Sequence, residues 1–147
     1  TLSERFDLDR NQWIKLNPLP KDDWLCHCIV FKMDILISGS KNRNILRYSI
    51  ENDSFTIIPF QFAFGRRKIL VNAGRLYLIE CDNGMIYESE DGDETAWKQV
   101  GRSIIQEQYP SQIYCSYNKE AIYIGVNYIK AHECYRFDLG PKSMVSI

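Results

Sequence analysis

The chain is poor in the groups that enzymes and nucleic-acid binders rely on. His27 and His132 are its only two imidazoles, which leaves few general bases to activate a nucleophile. It has no G-x-S-x-G elbow and no glycine-rich phosphate loop. The net charge is −1 with no long Lys/Arg run, whereas holding nucleic acid takes many cations on one surface. Nucleic acid is therefore not an expected partner. No apolar stretch approaches the roughly 18 residues of a membrane span, so no membrane association is expected. Helical periodicity is also missing: residues 102–108 offer one turn, and Pro110 stops it. There is no linker rich in Gly, Ser or Pro and no low-complexity segment, so one continuous array is expected. The five cysteines, Cys26, Cys28, Cys81, Cys115 and Cys134, are odd in number and lack paired spacing. That usage points to a reducing compartment, here the cytoplasm, with the thiols acting as small buried hydrophobes. No secretory leader is visible. Asn52-Asp53-Ser54 fits a glycosylation sequon, but the free thiols argue against secretion.

What the chain does have is a repeat. The 147 residues are 45 % apolar, 25 % charged and 13 % aromatic, enough for a core and suited to pleated, half-buried surfaces. Arg5-Phe6-Asp7-Leu8 recurs letter for letter as Arg136-Phe137-Asp138-Leu139, with Arg47-Tyr48-Ser49-Ile50 between them. A large residue follows each aromatic after seven positions: Trp13, Phe55 and Met144. A second register agrees with the first. Ile35-Leu36-Ile37, Leu76-Tyr77-Leu78 and Ile122-Tyr123-Ile124 are equivalent apolar triplets, preceded by strand ends at Val30, Val71 and Tyr117. The links Lys32-Met33-Asp34, Asn72-Ala73-Gly74 and Asn118-Lys119-Glu120 carry turn chemistry. The unit therefore reads strand, tight turn, strand, loop, aromatic-bearing strand, turn, final strand. A more divergent third-to-fourth-strand hairpin runs from Ile86-Tyr87-Glu88-Ser89 to Ala96-Trp97-Lys98-Gln99-Val100. Repeats of this length built from short strands indicate propeller blades, solenoids or arrays.

The pattern resembles the kelch motif of β-propellers over nearly the whole chain. Cys134-Tyr135-Arg136-Phe137-Asp138 and Glu4-Arg5-Phe6-Asp7 match that motif's third strand. Gln12-Trp13-Ile14-Lys15-Leu16 matches its fourth strand, and Leu76-Tyr77-Leu78-Ile79 its second. The kelch glycine doublet would fall at Gly39-Ser40, Glu80-Cys81 and Val126-Asn127, where only Gly39 is glycine. The resemblance implies an all-β fold, a β-propeller of four-stranded antiparallel blades. About three and a half blades are present: a half blade at 1–16 and blades at 26–58, 68–100 and 113–147. Since propellers close with 4–8 blades, the chain reads as a fragment of a larger propeller. Further blades of the same polypeptide, or another subunit, are expected to complete it, and the uncovered blade faces are expected to make the isolated piece self-associate. One hairpin, Ser89-Glu90-Asp91-Gly92-Asp93-Glu94-Thr95-Ala96-Trp97, resembles the Asp-box of sialidase-type propellers with one extra residue. It raises an alternative: a degenerate glycosidase- or lectin-type propeller that binds carbohydrate.

Several chemistries are argued against by spacing. Cys26-His27-Cys28 has the composition of a metal cluster, but strand alternation sends His27 to the face opposite both thiols. Cys134 and Tyr135 likewise diverge, against a Tyr–Cys crosslinked copper oxidase. Glycosidase chemistry needs two carboxylates facing each other across a sugar, and Asp22, Asp23, Asp91 and Asp93 all fall in expected loops or turns. No catalytic residue, metal or cofactor is assigned. The kelch resemblance implies partner binding where the loops between units and those between second and third strands emerge on one face. The loops 17–25, 59–67 and 101–111 carry Asp22, Asp23, Trp24, Phe62, Phe64, Arg66, Arg67 and Tyr109; the other set adds Lys41, Arg43, Tyr128 and Lys130. Aromatics and arginines dominate interface hot spots. The expected function is a non-catalytic protein-binding scaffold, its partner an adaptor client or a cytoskeletal or assembly component. Phe6/Trp13, Tyr48/Phe55, Tyr87/Trp97 and Phe137/Met144 are expected to be equivalent pairs buried between units. Trp13→Ala should then cost roughly 3–5 kcal/mol.

Overall fold

A computed structural model of the chain describes residues 3–20, 27–39, 44–62, 65–102, 112–127 and 132–146, with only the backbone of 112–114. Its β-strands form one hairpin and three four-stranded antiparallel sheets. The hairpin pairs β1 (Glu4–Asp7) with β2 (Gln12–Lys15). Sheet I runs β3 (His27–Phe31), β4 (Asp34–Ser38), β5 (Ile45–Ser49) and β6 (Ser54–Ile58) in spatial order. Sheet II holds β7 (Arg67–Asn72), β8 (Arg75–Glu80), β9 (Met85–Ser89) and β10 (Trp97–Arg102) in the same order. Sheet III holds β11 (Gln112–Tyr117), β12 (Ala121–Asn127), β13 (His132–Asp138) and β14 (Ser143–Ser146). Each sheet is a plain meander, so every ladder forms between sequence neighbours.

The turns follow from local chemistry. Lys32-Met33 and Ala73-Gly74 both take two successive positive φ values, 49° and 67°, then 49° and 77°. That is the mirror-image turn whose twist matches its flanking strands. In the third sheet, Asn118 makes the corner with its side chain: its Oδ1 accepts the amides of Glu120 (2.9 Å) and Ala121 (2.8 Å). The later turns share a left-handed residue at one place, Asn11 (φ 52°), Asp53 (φ 45°) and Lys142 (φ 54°).

Three of the four aromatic pairs face each other across a ladder, Phe6 with Trp13, Tyr48 with Phe55 and Phe137 with Met144. The fourth differs. Tyr48 and Phe137 lie across from Ile35 and Ile122, whereas the equivalent Leu76 donates its amide to Ser89 Oγ at 3.0 Å. Trp97 pairs with Ser89, while Tyr87 pairs with Gln99. Trp97 thus holds the expected site and Ser89, not Tyr87, is its partner. The longer turn causes the offset: a 3-10 turn at Glu90–Gly92, left-handed at Asp91 (φ 49°) and Gly92 (φ 70°), takes up the extra residues.

The core lies between sheets rather than within any one of them. Phe31, Leu36, Ile45 and Ile58 of sheet I meet Ile69, Leu76, Leu78, Tyr87 and Trp97 of sheet II. Leu70, Tyr77, Ile79 and Ile86 of sheet II meet Ile122, Ile124, Val126, Tyr135 and Phe137 of sheet III. Along β8 the side chains alternate, Leu76 and Leu78 to one neighbour, Tyr77 and Ile79 to the other, as a period of two requires. Each such aliphatic side chain contributes roughly 1.5–3 kcal/mol by leaving water. Trp13 departs from expectation. It is 67 % exposed, because the face of the hairpin that carries it meets no sheet among the described residues, so it cannot supply the stabilisation of a buried tryptophan.

Ion pairs lock neighbouring sheets at one repeated place. Arg47 of β5 reaches Glu94, in the β9–β10 turn of sheet II, at 2.6 Å. One sheet on, Glu88 occupies the position of Arg47 and reaches Lys142, in the β13–β14 turn of sheet III, at 3.1 Å. The link is the same and the charges are exchanged. Glu88 is buried, which alone would raise its pKa. Hydrogen bonds from Tyr77 (2.7 Å), Arg75 (3.0 Å) and Lys142 outweigh that burial and hold the carboxyl below its usual range.

Candidate functional site

The most fully described part of the expected binding rim is where the segment entering sheet II meets the β4–β5 and β8–β9 connections of sheets I and II. Its two arginines are adjacent, so an extended backbone points them apart. Arg66 stays near solvent and is fixed by Asp82: its amide donates to Asp82 Oδ2 at 3.0 Å and its Nε to Oδ1 at 3.1 Å. Its own carbonyl accepts the Cys81 amide at 2.7 Å. Gly65 makes this approach possible. Its φ is 145°, and a Cβ there would lie 2.5 Å from Asp82 Oδ2.

Arg67 turns inward and is buried. Its Nη2 donates to the carbonyls of Gly39 (3.3 Å) and Asn44 (3.5 Å), and its guanidinium carbon lies 5.3 Å from the Phe60 ring centroid. Gly39 and Asn44 flank residues 40–43, so one buried cation fastens both ends of the connection that carries Lys41 and Arg43. Across the ladder from Arg67 stands Glu80, also buried. Burial pushes the Glu80 carboxyl up, against the hydrogen bond from Asn83 Nδ2 (2.6 Å) and the charge of Arg67, which pull it down. Glu80 and Val126 sit where the kelch pattern has glycine, and both are buried, so here side chains fill that contact.

Phe62 packs on Tyr87 with ring centroids 4.4 Å apart and on Phe60 at 5.3 Å. It joins the edge of the core between sheets I and II while staying partly accessible. Burial raises the Tyr87 phenol to about 12, with Glu80 adding to the shift, so it remains neutral. Of the residues expected at the rim, Phe62, Arg66 and Arg67 are described: the Phe60 ring touches both Phe62 and the Arg67 guanidinium, while Arg66 is held separately by Asp82. Asp22, Asp23, Trp24, Lys41, Arg43, Phe64, Tyr109, Tyr128 and Lys130 lie outside the described residues. Sequence reasoning missed Phe60, Asp82 and Glu80, which hold the rim in place. The turn-forming Asp82-Asn83-Gly84 was the available signal for Asp82.

His27, Cys81 and Cys115 have structural surroundings, whereas Cys28 and Cys134 are exposed, against the expectation that the thiols act as buried hydrophobes, because both point to the solvent side of their strands. His27 Nδ1 accepts the Ile69 amide at 3.3 Å, and burial followed by the charge of Lys68 lowers its pKa. Burial raises Cys81 and Cys115 to about 12, so both are thiols rather than thiolates at neutral pH. Among the described residues, no three His, Cys, Asp or Glu side chains converge as metal ligands would. The turn that resembles an Asp-box is closed on itself. Trp97 Nε1 donates to the Glu94 carbonyl at 2.8 Å, and Asp93 Oδ1 accepts the Thr95 amide at 2.8 Å and hydroxyl at 2.7 Å. Those bonds shape a hairpin and leave none of these groups aimed at a ligand. No protein-family model matches the chain, and no curated protein does.

Proposed function

We propose that the chain is part of a kelch-like β-propeller that serves as a non-catalytic scaffold, binding a protein partner through the connections on one rim of its sheets. The observation that carries this reading is the bracing of the rim. Arg67 fastens both ends of the 40–43 connection and Asp82 fixes Arg66, while Phe62, packed on Phe60 and Tyr87, stays partly accessible. Loops held by a rigid scaffold are where recognition concentrates, and preorganisation lowers the entropic cost of binding. In this reading further blades complete the ring, supplied by the same polypeptide or another subunit. The setting is the cytoplasm, and neither nucleic acid nor membrane is a partner. The partner is an adaptor client or a component of the cytoskeleton or of an assembly.

Site-specific photocrosslinking tests this. A crosslinker at Lys41 should capture one recurrent protein in cells, and the capture should disappear with Phe62→Ala and Arg66→Glu together. A crosslinker at Met33, in the exposed β3–β4 turn, should not capture it. Capture from Met33 alone, or turnover of a glycan by the purified chain, overturns the reading.

A further inference from the structure

The β8–β9 connection of sheet II carries the chain's one Asn-Gly dipeptide, Asn83-Gly84. Where glycine follows asparagine, no side chain shields the following backbone nitrogen, and that nitrogen can attack the side-chain amide. The Gly84 nitrogen, once its proton has passed to solvent base, bonds to Asn83 Cγ; the Cγ–Nδ2 bond breaks and ammonia leaves. Water then opens the resulting succinimide at either carbonyl. One opening gives aspartate. The other gives isoaspartate, whose main chain is longer by a methylene.

The fold restrains each group of that reaction. Gly84 is buried, and its amide donates to the Glu80 carbonyl at 2.8 Å, away from solvent base. Asn83 Nδ2 donates to Glu80 Oε2 at 2.6 Å and Oδ1 accepts the Met85 amide at 2.9 Å, so the side chain is held off the Gly84 nitrogen. The same turn braces the rim. Asp82 holds Arg66, and the Cys81 amide donates to the Arg66 carbonyl at 2.7 Å. Glu80 is buried, and it faces Arg67 of β7, Tyr87 of β9 and Asp82 of its own turn. Arg67 is the cation among these, and its Nη2 is already engaged with the Gly39 and Asn44 carbonyls.

We propose that Asn83-Gly84 is a guarded deamidation site, which reacts when the β8–β9 turn opens locally and whose product unfastens the Arg66 brace. Short connections open on their own far more often than the whole fold does, so the reaction does not wait for global unfolding. Aspartate at 83 sets a second carboxylate where an amide now donates to Glu80, and two carboxylates that close do not both ionise readily. Isoaspartate lengthens the main chain between Asp82 and Met85, both of which the turn holds by hydrogen bonds. Either product pushes the turn apart at the residue next to Asp82. Because ammonia is lost, the change runs one way. The inference rests on the geometry of the turn and holds whether or not the rim binds a protein.

The whole chain and a synthetic peptide spanning Glu80–Glu88 are incubated at neutral pH, and aspartate and isoaspartate at 83 are followed by mass spectrometry and chromatography. Conversion should be at least tenfold slower in the chain. Asp82→Ala, which removes the brace, should speed it severalfold in the chain and leave it unchanged in a peptide carrying the same substitution. In the converted chain, purified from unconverted material, the Arg66 and Cys81 amides should exchange hydrogen at least tenfold faster while those of β12 do not change. Asn83→Asp should reproduce this; if N83D fails to fold, the converted wild-type chain supplies the same measurement. Folded N83D should also lose stability against the parent as pH rises, because the carboxylate pair keeps a proton when folded that it releases when unfolded. Equal rates in chain and peptide, no acceleration by D82A, or a converted chain with Arg66 and Cys81 still protected would overturn the proposal.

Discussion

Arg5-Phe6-Asp7-Leu8 and Arg136-Phe137-Asp138-Leu139 are the same four letters in the same ladder register, yet Phe6 is 41 % exposed and Phe137 is fully buried. Nothing in the tetrapeptide distinguishes them. Phe137 packs against sheet II beside Gly101, whereas Phe6 belongs to neither core cluster and its ring partner among the described residues is Trp13, 5.3 Å away between ring centroids. The contribution of a residue in this fold is thus set by whether its unit has a neighbour on that face. Sequence identity fixes the pleat, and position in the array fixes the energy.

Phe137→Ala should break the comparison most sharply, with a loss of about 3–5 kcal/mol in denaturant unfolding. Glu88→Gln comes next, at about 2–3 kcal/mol, since it weakens charge-assisted bonds to Arg75, Lys142 and Tyr77. The folded-state pKa of Glu88 is depressed, so its contribution is present above the unfolded value of about 4.3 and is lost as pH falls through the lower folded value. The gap between wild type and E88Q should therefore narrow in acid titrations below that point, and a gap that stays constant would show another group to be responsible. Gly101→Ala should cost about 1–3 kcal/mol, because its Cβ would sit 2.5 Å from the Phe137 ring, which is walled in. A double-mutant cycle on Arg47 and Glu94 should give about 0.5–1 kcal/mol of coupling, reduced by salt, for a pair that is partly exposed on the arginine side. Phe6→Ala and Trp13→Ala should be smallest, each within about 1 kcal/mol. A large effect from either would mean that the hairpin is covered in solution.

Much of the pleat was legible because its signals are local. The apolar triplets at 35–37, 76–78 and 122–124 and the turns at Lys32-Met33 and Ala73-Gly74 are readable from alternation and turn chemistry alone, and the ladders fall there. The exposure of Trp13 was not legible, since burial is a property of the neighbouring sheet and no local pattern records it. The pairing of Trp97 with Ser89 was hidden because two left-handed residues in the intervening turn absorb an offset that counting cannot see. The rim was half legible. Arg66 and Arg67 read as a pair, but adjacent strand residues face opposite ways, and only the structure shows that Arg67 is the inward one, bound to the Gly39 and Asn44 carbonyls.

The exchanged charges of Arg47–Glu94 and Glu88–Lys142 make the sheets non-interchangeable. Suppose a chain were rearranged so that sheet II preceded sheet I. Glu88 would then confront Asp53 in the turn of sheet I, and Arg47 would confront Lys142 in that of sheet III. Both junctions would set like charges against each other, where the natural order has attraction at both. Repulsion against the wrong neighbour separates similar partners as effectively as attraction to the right one. Two residues per junction thus favour the natural order of the sheets over the exchanged one, on top of the differences in their turns, and a chain with shuffled units should lose both attractions even though every sheet keeps its own sequence.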